Sequence, residues 1–213
     1  MQVNTQRLVL VGAGAFAREL VNWAEHAAAL KGAPAISAFL DASAAALDGF
    51  DYDLDYLGTI ESYQPREGDR LVMAIGDPAA KRRIADDLLA RGAQFAQVIH
   101  PSSVIARTAR LGVGVVVCPQ VVVSADAVIG DFVALNTMSS IGHDVEIGAC
   151  TTLSAHVDLT GYVKVGEGCF FGSGARVLPK VSIGEGARIG AGATVMRKVA
   201  PGAVMYTTPA KKL

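Results

Sequence analysis

Of the groups in this chain able to do chemistry, the adjacent pair His143-Asp144 is the most telling. A carboxylate beside an imidazole holds one tautomer and raises basicity, which suits the ring to take a proton from an attacking amine or hydroxyl. The other histidines offer less. His26 lies in a helical stretch, His100 precedes Pro101, and His156 stands alone. Metal-assisted hydration needs three histidines converging on one ion, and this spacing does not suit that. A second constellation lies near the N-terminus. Gly12-Ala13-Gly14 sits between a β-rich run and a helical run. There glycine lets the backbone approach a diphosphate, and helix N–H groups face it. Asp41, ending the next apolar run, is placed to accept ribose hydroxyls. The same turn also arises as a plain strand-to-helix connection without ligand, and a nicotinamide dinucleotide is a further occupant. Cys118, Cys150 and Cys169 are an odd, sparse set, read as reduced thiols of a cytoplasmic protein.

What positions His143 is a repeat. From Ile99 to Val195 every sixth residue is apolar, and the residue four further on, from Ser103 to Val199, is small or β-branched. Helical faces recur near 3.6 residues, so a helix cannot produce this period. The pattern predicts a parallel β-helix. Each hexad is a short strand plus a turn, and glycine after the apolar residue (Gly112, Gly130, Gly142, Gly148) supplies a tight corner. Three hexads close a triangular coil, so residues eighteen apart stack at about 4.8 Å. His143 takes the third place of its hexad, an outward turn, and Asp144 shares that turn.

Residues 7–98 follow a different rule. Strands are expected at Arg7–Val11, Ile36–Leu40 and Leu71–Ile75, and helices at Ala15–Leu30 and Ala79–Arg91, the latter with Pro78 in its first turn. Asp48–Tyr56, rich in acids, reads as a loop. Alternating strands and helices imply a small parallel α/β sheet.

The stretch from Asn136 to Asp144 (NTMSSIGHD) resembles the active-site segment of bacterial nucleotide-sugar acetyltransferases. These hexapeptide-repeat proteins include bacillosamine and perosamine N-acetyltransferases and sialic acid O-acetyltransferases. Val9–Ala17, Phe39-Leu40-Asp41, Ala74-Ile75-Gly76-Asp77, Ile99-His100-Pro101-Ser102 and Pro209-Ala210-Lys211 carry the resemblance across nearly the whole chain. It implies a Rossmann-like nucleotide-sugar-binding domain over 1–98. A left-handed β-helix acetyltransferase domain over 99–199 and a C-terminal cap over 200–213 follow, in a homotrimer. It implies acetyl-coenzyme A as co-substrate and no metal. His143 is then the general base and Asp144 its partner. Gly161, Ser173 and Thr152 fall at acetyl-coenzyme A positions, and Gly12, Ala13, Gly14, Asp41 and Asn136 at nucleotide-sugar positions. The chain departs from the family in several places, one of them the tail Thr207-Thr208-Pro209, where relatives often have a glycine in place of one threonine. Gly14-Ala15-Phe16 stands where relatives have Gly-Gly-His, Thr152 stands where a second histidine is usual, and His156 appears nearby.

The net charge of −1 leaves no basic excess for a nucleic-acid partner, and no apolar run spans a bilayer. The residue before each inward apolar position points outward. That column is apolar early (Val98, Val104, Val116, Val122, Val128, Ala134) and mostly polar from Ser140 onward. The early part marks buried surface, under the first domain or between prisms, or else reflects plain β-propensity on a solvated strand. The basic residues Arg176, Lys180, Arg188, Arg197 and Lys198 either meet coenzyme A phosphates or form a solvated face. The resemblance therefore implies an N-acetyltransferase of a nucleotide-linked 4-amino-4,6-dideoxy sugar. O-acetylation of a sialic-acid-like sugar and a non-catalytic scaffold are the alternatives.

Overall fold

The computed structural model describes residues 7–208, so Pro209, Ala210 and Lys211 lie outside the described residues. The first unit holds β1 (Arg7–Val11), α1 (Ala15–Lys31), β2 (Ile36–Leu40), β3 (Asp55–Tyr56), β4 (Asp69–Met73) and α2 (Pro78–Ala90). The strands form one parallel sheet in the order β3-β2-β1-β4. Its central strand is buried on both faces, with Val9, Leu10 and Val11 fully covered, as an all-parallel sheet requires. Two expectations need correcting. The third strand begins and ends two residues earlier than the apolar run suggested, because Asp69 at its start pairs with Arg7 of β1 at 2.8 Å. The acidic loop also supplies a strand, β3, through Ala38–Asp55 and Phe39–Tyr56 pairing. Asp77 caps α2 by accepting the Ala80 N–H at 2.9 Å, and Pro78 opens the helix.

From Val98 onward the chain winds through two-residue strands that fall on three parallel sheets. The first face runs from Val98–Ile99, the second from Val104–Ile105 and the third from Arg110–Leu111, each strand pairing with the one eighteen residues on. This architecture fits a left-handed β-helix. Its interior is one apolar column that includes Val117, Leu135, Leu153 and Phe171. The last coil is shorter, for Arg188 pairs with Val204, sixteen residues on. At the other end Ile99, expected inside, is 40% exposed because no coil lies beneath it.

The corner glycines have a different cause from the one expected. Gly142 does not need positive φ; a Cβ on it would lie 2.8 Å from the Gly161 nitrogen one coil up. Close coil stacking, not backbone conformation, excludes a side chain there. The left-handed corner conformation falls instead on residues such as Asp144 (φ 58°), His156 (φ 60°) and Tyr162 (φ 62°). Inter-coil hydrogen bonds hold them, such as Asp144 N–H to the Ala125 carbonyl at 3.0 Å.

The outward column divides by face. Val116 and Ala134 on the first face are buried, and Val116, with Cys118, packs into the core of the α/β unit. On the second face Val104 is 63% and Val122 42% exposed. The α/β unit thus sits on the first face. Helix α1 reaches the corner shared with the second face, where His26 Nδ1 lies 2.9 Å from His100 Nε2. Helix α2 reaches the corner shared with the third, where Lys81 meets the Phe132 carbonyl at 3.0 Å.

Candidate active site

His143 occupies the corner between the second and third faces, following the strand Ser140–Ile141. Its Nδ1 lies 2.8 Å from Asp144 Oδ2. A carboxylate only accepts, so Nδ1 carries the shared proton and Nε2 is left as the free lone pair. The left-handed turn at Asp144 lets neighbouring side chains emerge on one side. The ring is more than half exposed and extends over Gly161, where a Cβ would lie 2.6 Å from Nε2. Tyr162, one coil above Asp144, packs its ring edge-on to the imidazole with centroids 5.0 Å apart. Periodicity placed Gly161 over His143. Tyr162 was missed, although the same eighteen-residue step from Asp144 marks it.

The glycine loop builds a second centre. Gly12 has φ 94°, which favours glycine; a Cβ there would also press on Ile75 Cδ1 at 2.6 Å, a flexible side-chain end that can yield. Asp41 accepts the Ala13 N–H at 2.9 Å and the Ser43 N–H at 3.2 Å. Its carboxylate therefore shapes the glycine loop. Gly14 caps α1 with no side-chain hydrogen bond, and space is open around its Cα. The first N–H groups of the helix carry its positive end.

Asn136 and Thr152 lie along the first face, beside a cleft of about 340 Å³ between α1 and the prism. Ala15, Phe16 and Gly76 line its α/β side. Thr152 is nearly buried at the seam. Its hydroxyl donates to the Gly76 carbonyl at 2.8 Å and accepts from Lys81 Nζ at 2.7 Å. Lys81 also donates to the carbonyls of Phe132 and Thr151, at 3.0 and 3.3 Å. Burial pushes its amine down to about 7. The signal for Lys81 was present in its place on the apolar stripe Pro78-Lys81-Ile84-Leu88. Ser173 is exposed at the corner of the first and second faces, one coil above Ala155, and His156 occupies the same corner.

Within one chain the expected residues thus form three groups. His143, Asp144 and Gly161 meet at one corner; Asn136, Thr152 and Ser173 lie along the first face and its corner; Gly12, Ala13, Gly14 and Asp41 meet in the α/β unit. His143 stands at the prism corner opposite the face that carries the α/β unit. Cys118, Cys150 and Cys169 are buried and free. Among the described residues no group of three or more His, Cys, Asp or Glu is arranged around a metal position, and no helix is long and apolar enough to cross a membrane.

The pattern of the family "Bacterial transferase hexapeptide (six repeats)" matches residues 162–197. Among curated proteins none matches this chain. Among solved structures, PerB of Caulobacter crescentus, in complex with CoA and GDP-perosamine, is 32% identical with a TM-score of 0.83, over 96% of this chain and 95% of its own. The acetyltransferase domain of PglB from Neisseria gonorrhoeae, in complex with acetyl coenzyme A, is 28% identical with a TM-score of 0.84, over 98% of this chain and 100% of its own. WeeI from Acinetobacter baumannii, 23% identical with a TM-score of 0.81 over 97% of this chain and 99% of its own, shares the fold. The repeat, the corner imidazole and the end-to-end likeness to the Caulobacter protein agree, and the chain belongs to the hexapeptide-repeat nucleotide-sugar acetyltransferases.

Proposed function

We propose that this acetyltransferase moves the acetyl group of acetyl-coenzyme A onto the amino group of a nucleotide-linked 4-amino-4,6-dideoxy sugar, with His143 as general base. The observation that carries this reading is the His143 ring, fixed through Nδ1 by Asp144 and presenting Nε2 over a glycine. The amine nitrogen attacks the thioester carbonyl carbon, and Nε2 takes the proton as the C–N bond forms. The Gly161 backbone N–H stabilises the oxyanion. Collapse breaks the C–S bond, and the imidazolium returns its proton to the departing thiolate. The transfer is direct, without an acyl-enzyme.

The Rossmann-like α/β unit holds the nucleotide. Gly12, Ala13 and Gly14 bring backbone N–H groups to the diphosphate at the start of α1, Asp41 faces the ribose, and Asn136 the sugar. Acetyl-coenzyme A lies in the groove between prisms, against Gly161 and Ser173; Thr152, expected there too, is instead buried at the α/β seam. The opposition of base and glycine loop supports a site shared between subunits. The exposed Val104 and Val122 make the second face the natural contact of a trimer. That packing brings the His143 corner of one prism beside the Ser173 corner of the next. The PerB complex, which contains both CoA and GDP-perosamine, supports these substrate classes.

The direct test incubates the protein with acetyl-coenzyme A and GDP-, UDP- or dTDP-linked 4-amino sugars and follows released thiol. Release that depends on one amino sugar is expected. No release with any of them, but release with a free sugar acid, overturns the reading.

A further inference from the structure

The cleft between α1 and the prism has one charged side chain in its lining, Glu19. We propose that Glu19 is the residue that recognises the acceptor's ammonium group, an assignment that rests on the amino-sugar reading above. Glu19 stands one helical turn beyond Ala15, about 6 Å along the axis, and both residues face the cleft. A diphosphate held at the start of α1 directs its sugar along this side of the helix. The far end of the sugar ring, where the C4 substituent lies, then arrives opposite the carboxylate.

Thr152 adds to the same preference. Its only proton goes to the Gly76 carbonyl and Lys81 fills one lone pair, so toward the cleft it offers acceptance alone. A carboxylate and a lone pair suit a ligand rich in donors. A primary ammonium brings three N–H groups and a positive charge. A sugar acid brings a carboxylate, which Glu19 repels. The contact belongs to the bound ground state: the ammonium first gives one proton to solvent at the exposed cleft, the neutral amine then attacks with His143 taking the second, and Glu19 finally faces a neutral amide. Glu19 therefore governs affinity and the discrimination of substrate from product, and does not lower the barrier to transfer.

The test is calorimetry on the full-length protein and on Glu19→Gln, a replacement of equal size on an exposed helical position. The probes are GDP-perosamine, its 4-hydroxy counterpart and its N-acetylated product, with UDP- and dTDP-linked 4-amino-4,6-dideoxyglucose sets as the other nucleotide forms. Glu19→Gln is expected to lose about tenfold in affinity for the amine and less than about twofold for the other two. Raising the pH until the amine is neutral is expected to close that gap, which a merely structural defect does not do. Equal loss for all three ligands, or an unchanged affinity for the amine, overturns the role of Glu19. A wild-type protein that acetylates the amino sugar while Glu19→Gln keeps its selectivity removes Glu19 alone. A wild-type protein that acetylates none of the amines removes the amino-sugar reading with it.

Discussion

The imidazole of His143 lies so close over Gly161 that a Cβ there would sit 2.6 Å from Nε2. The ring is the flexible partner, so Gly161→Ala moves the imidazole rather than the coil. The ring then swings away from Asp144. Steady-state kinetics of Gly161→Ala are expected to show a fall of roughly 10- to 100-fold in kcat/KM, with the circular dichroism of the β-helix retained. An unchanged rate would show that the imidazole does not act from this position.

Removing the imidazole altogether is a harsher change. His143→Ala is expected to lose about 10²- to 10⁴-fold in kcat while acetyl-coenzyme A affinity, measured by calorimetry, stays within a fewfold of wild type. Asp144→Asn keeps a hydrogen-bonding side chain but loses the charge that fixes the tautomer. Its loss is expected to be smaller, about tenfold. Turnover by His143→Ala equal to wild type would refute the assignment.

Lys81 makes stability depend on alkaline pH. Burial lowers its amine from the ordinary 10.5 to about 7, so the unfolded chain binds that proton more tightly than the folded one. The unfavourable contribution is full below pH 7 and is relieved as pH rises toward 10.5, at up to about 1.4 kcal/mol per pH unit. Denaturant unfolding of wild type and Lys81→Met across pH 7–10 is expected to shift in favour of wild type as pH rises. A constant difference would mean that the three acceptors around Nζ hold the ammonium against its burial.

The valines of the second face predict association. Light scattering after gel filtration is expected to give three chains per particle, and Val122→Glu to weaken it by placing a charge on that face. A dilute, stable monomer for the wild type would remove the shared site.

The repeat was legible because each inward position depends on neighbours eighteen residues away, a local rule that sequence spacing states directly. Its ends were not. Ile99 obeys the period yet lies exposed, since its burial depends on a coil that does not exist. Val116 and Val122 look alike in sequence, but only the first lies under the α/β unit, because docking of that unit is a long-range choice. Asp41 was legible as an acid at a strand end. Its bond to the Ala13 N–H was not, as it joins segments brought together only by the parallel sheet. Lys81 held an apolar position in the α2 stripe, and its acceptors lie fifty and more residues away on the prism.

One consequence follows from the His143 imidazole standing at the corner opposite the α/β unit. In a mixed assembly, a subunit without an imidazole can still present acceptor, and a neighbour with a damaged glycine loop can still supply the imidazole. Refolding two inactive variants together, His143→Ala and Gly12→Val, should therefore yield hybrids in which some seams are complete. Activity regained on mixing, and absent from either variant alone, would identify catalysis as a property of the seam rather than of the chain.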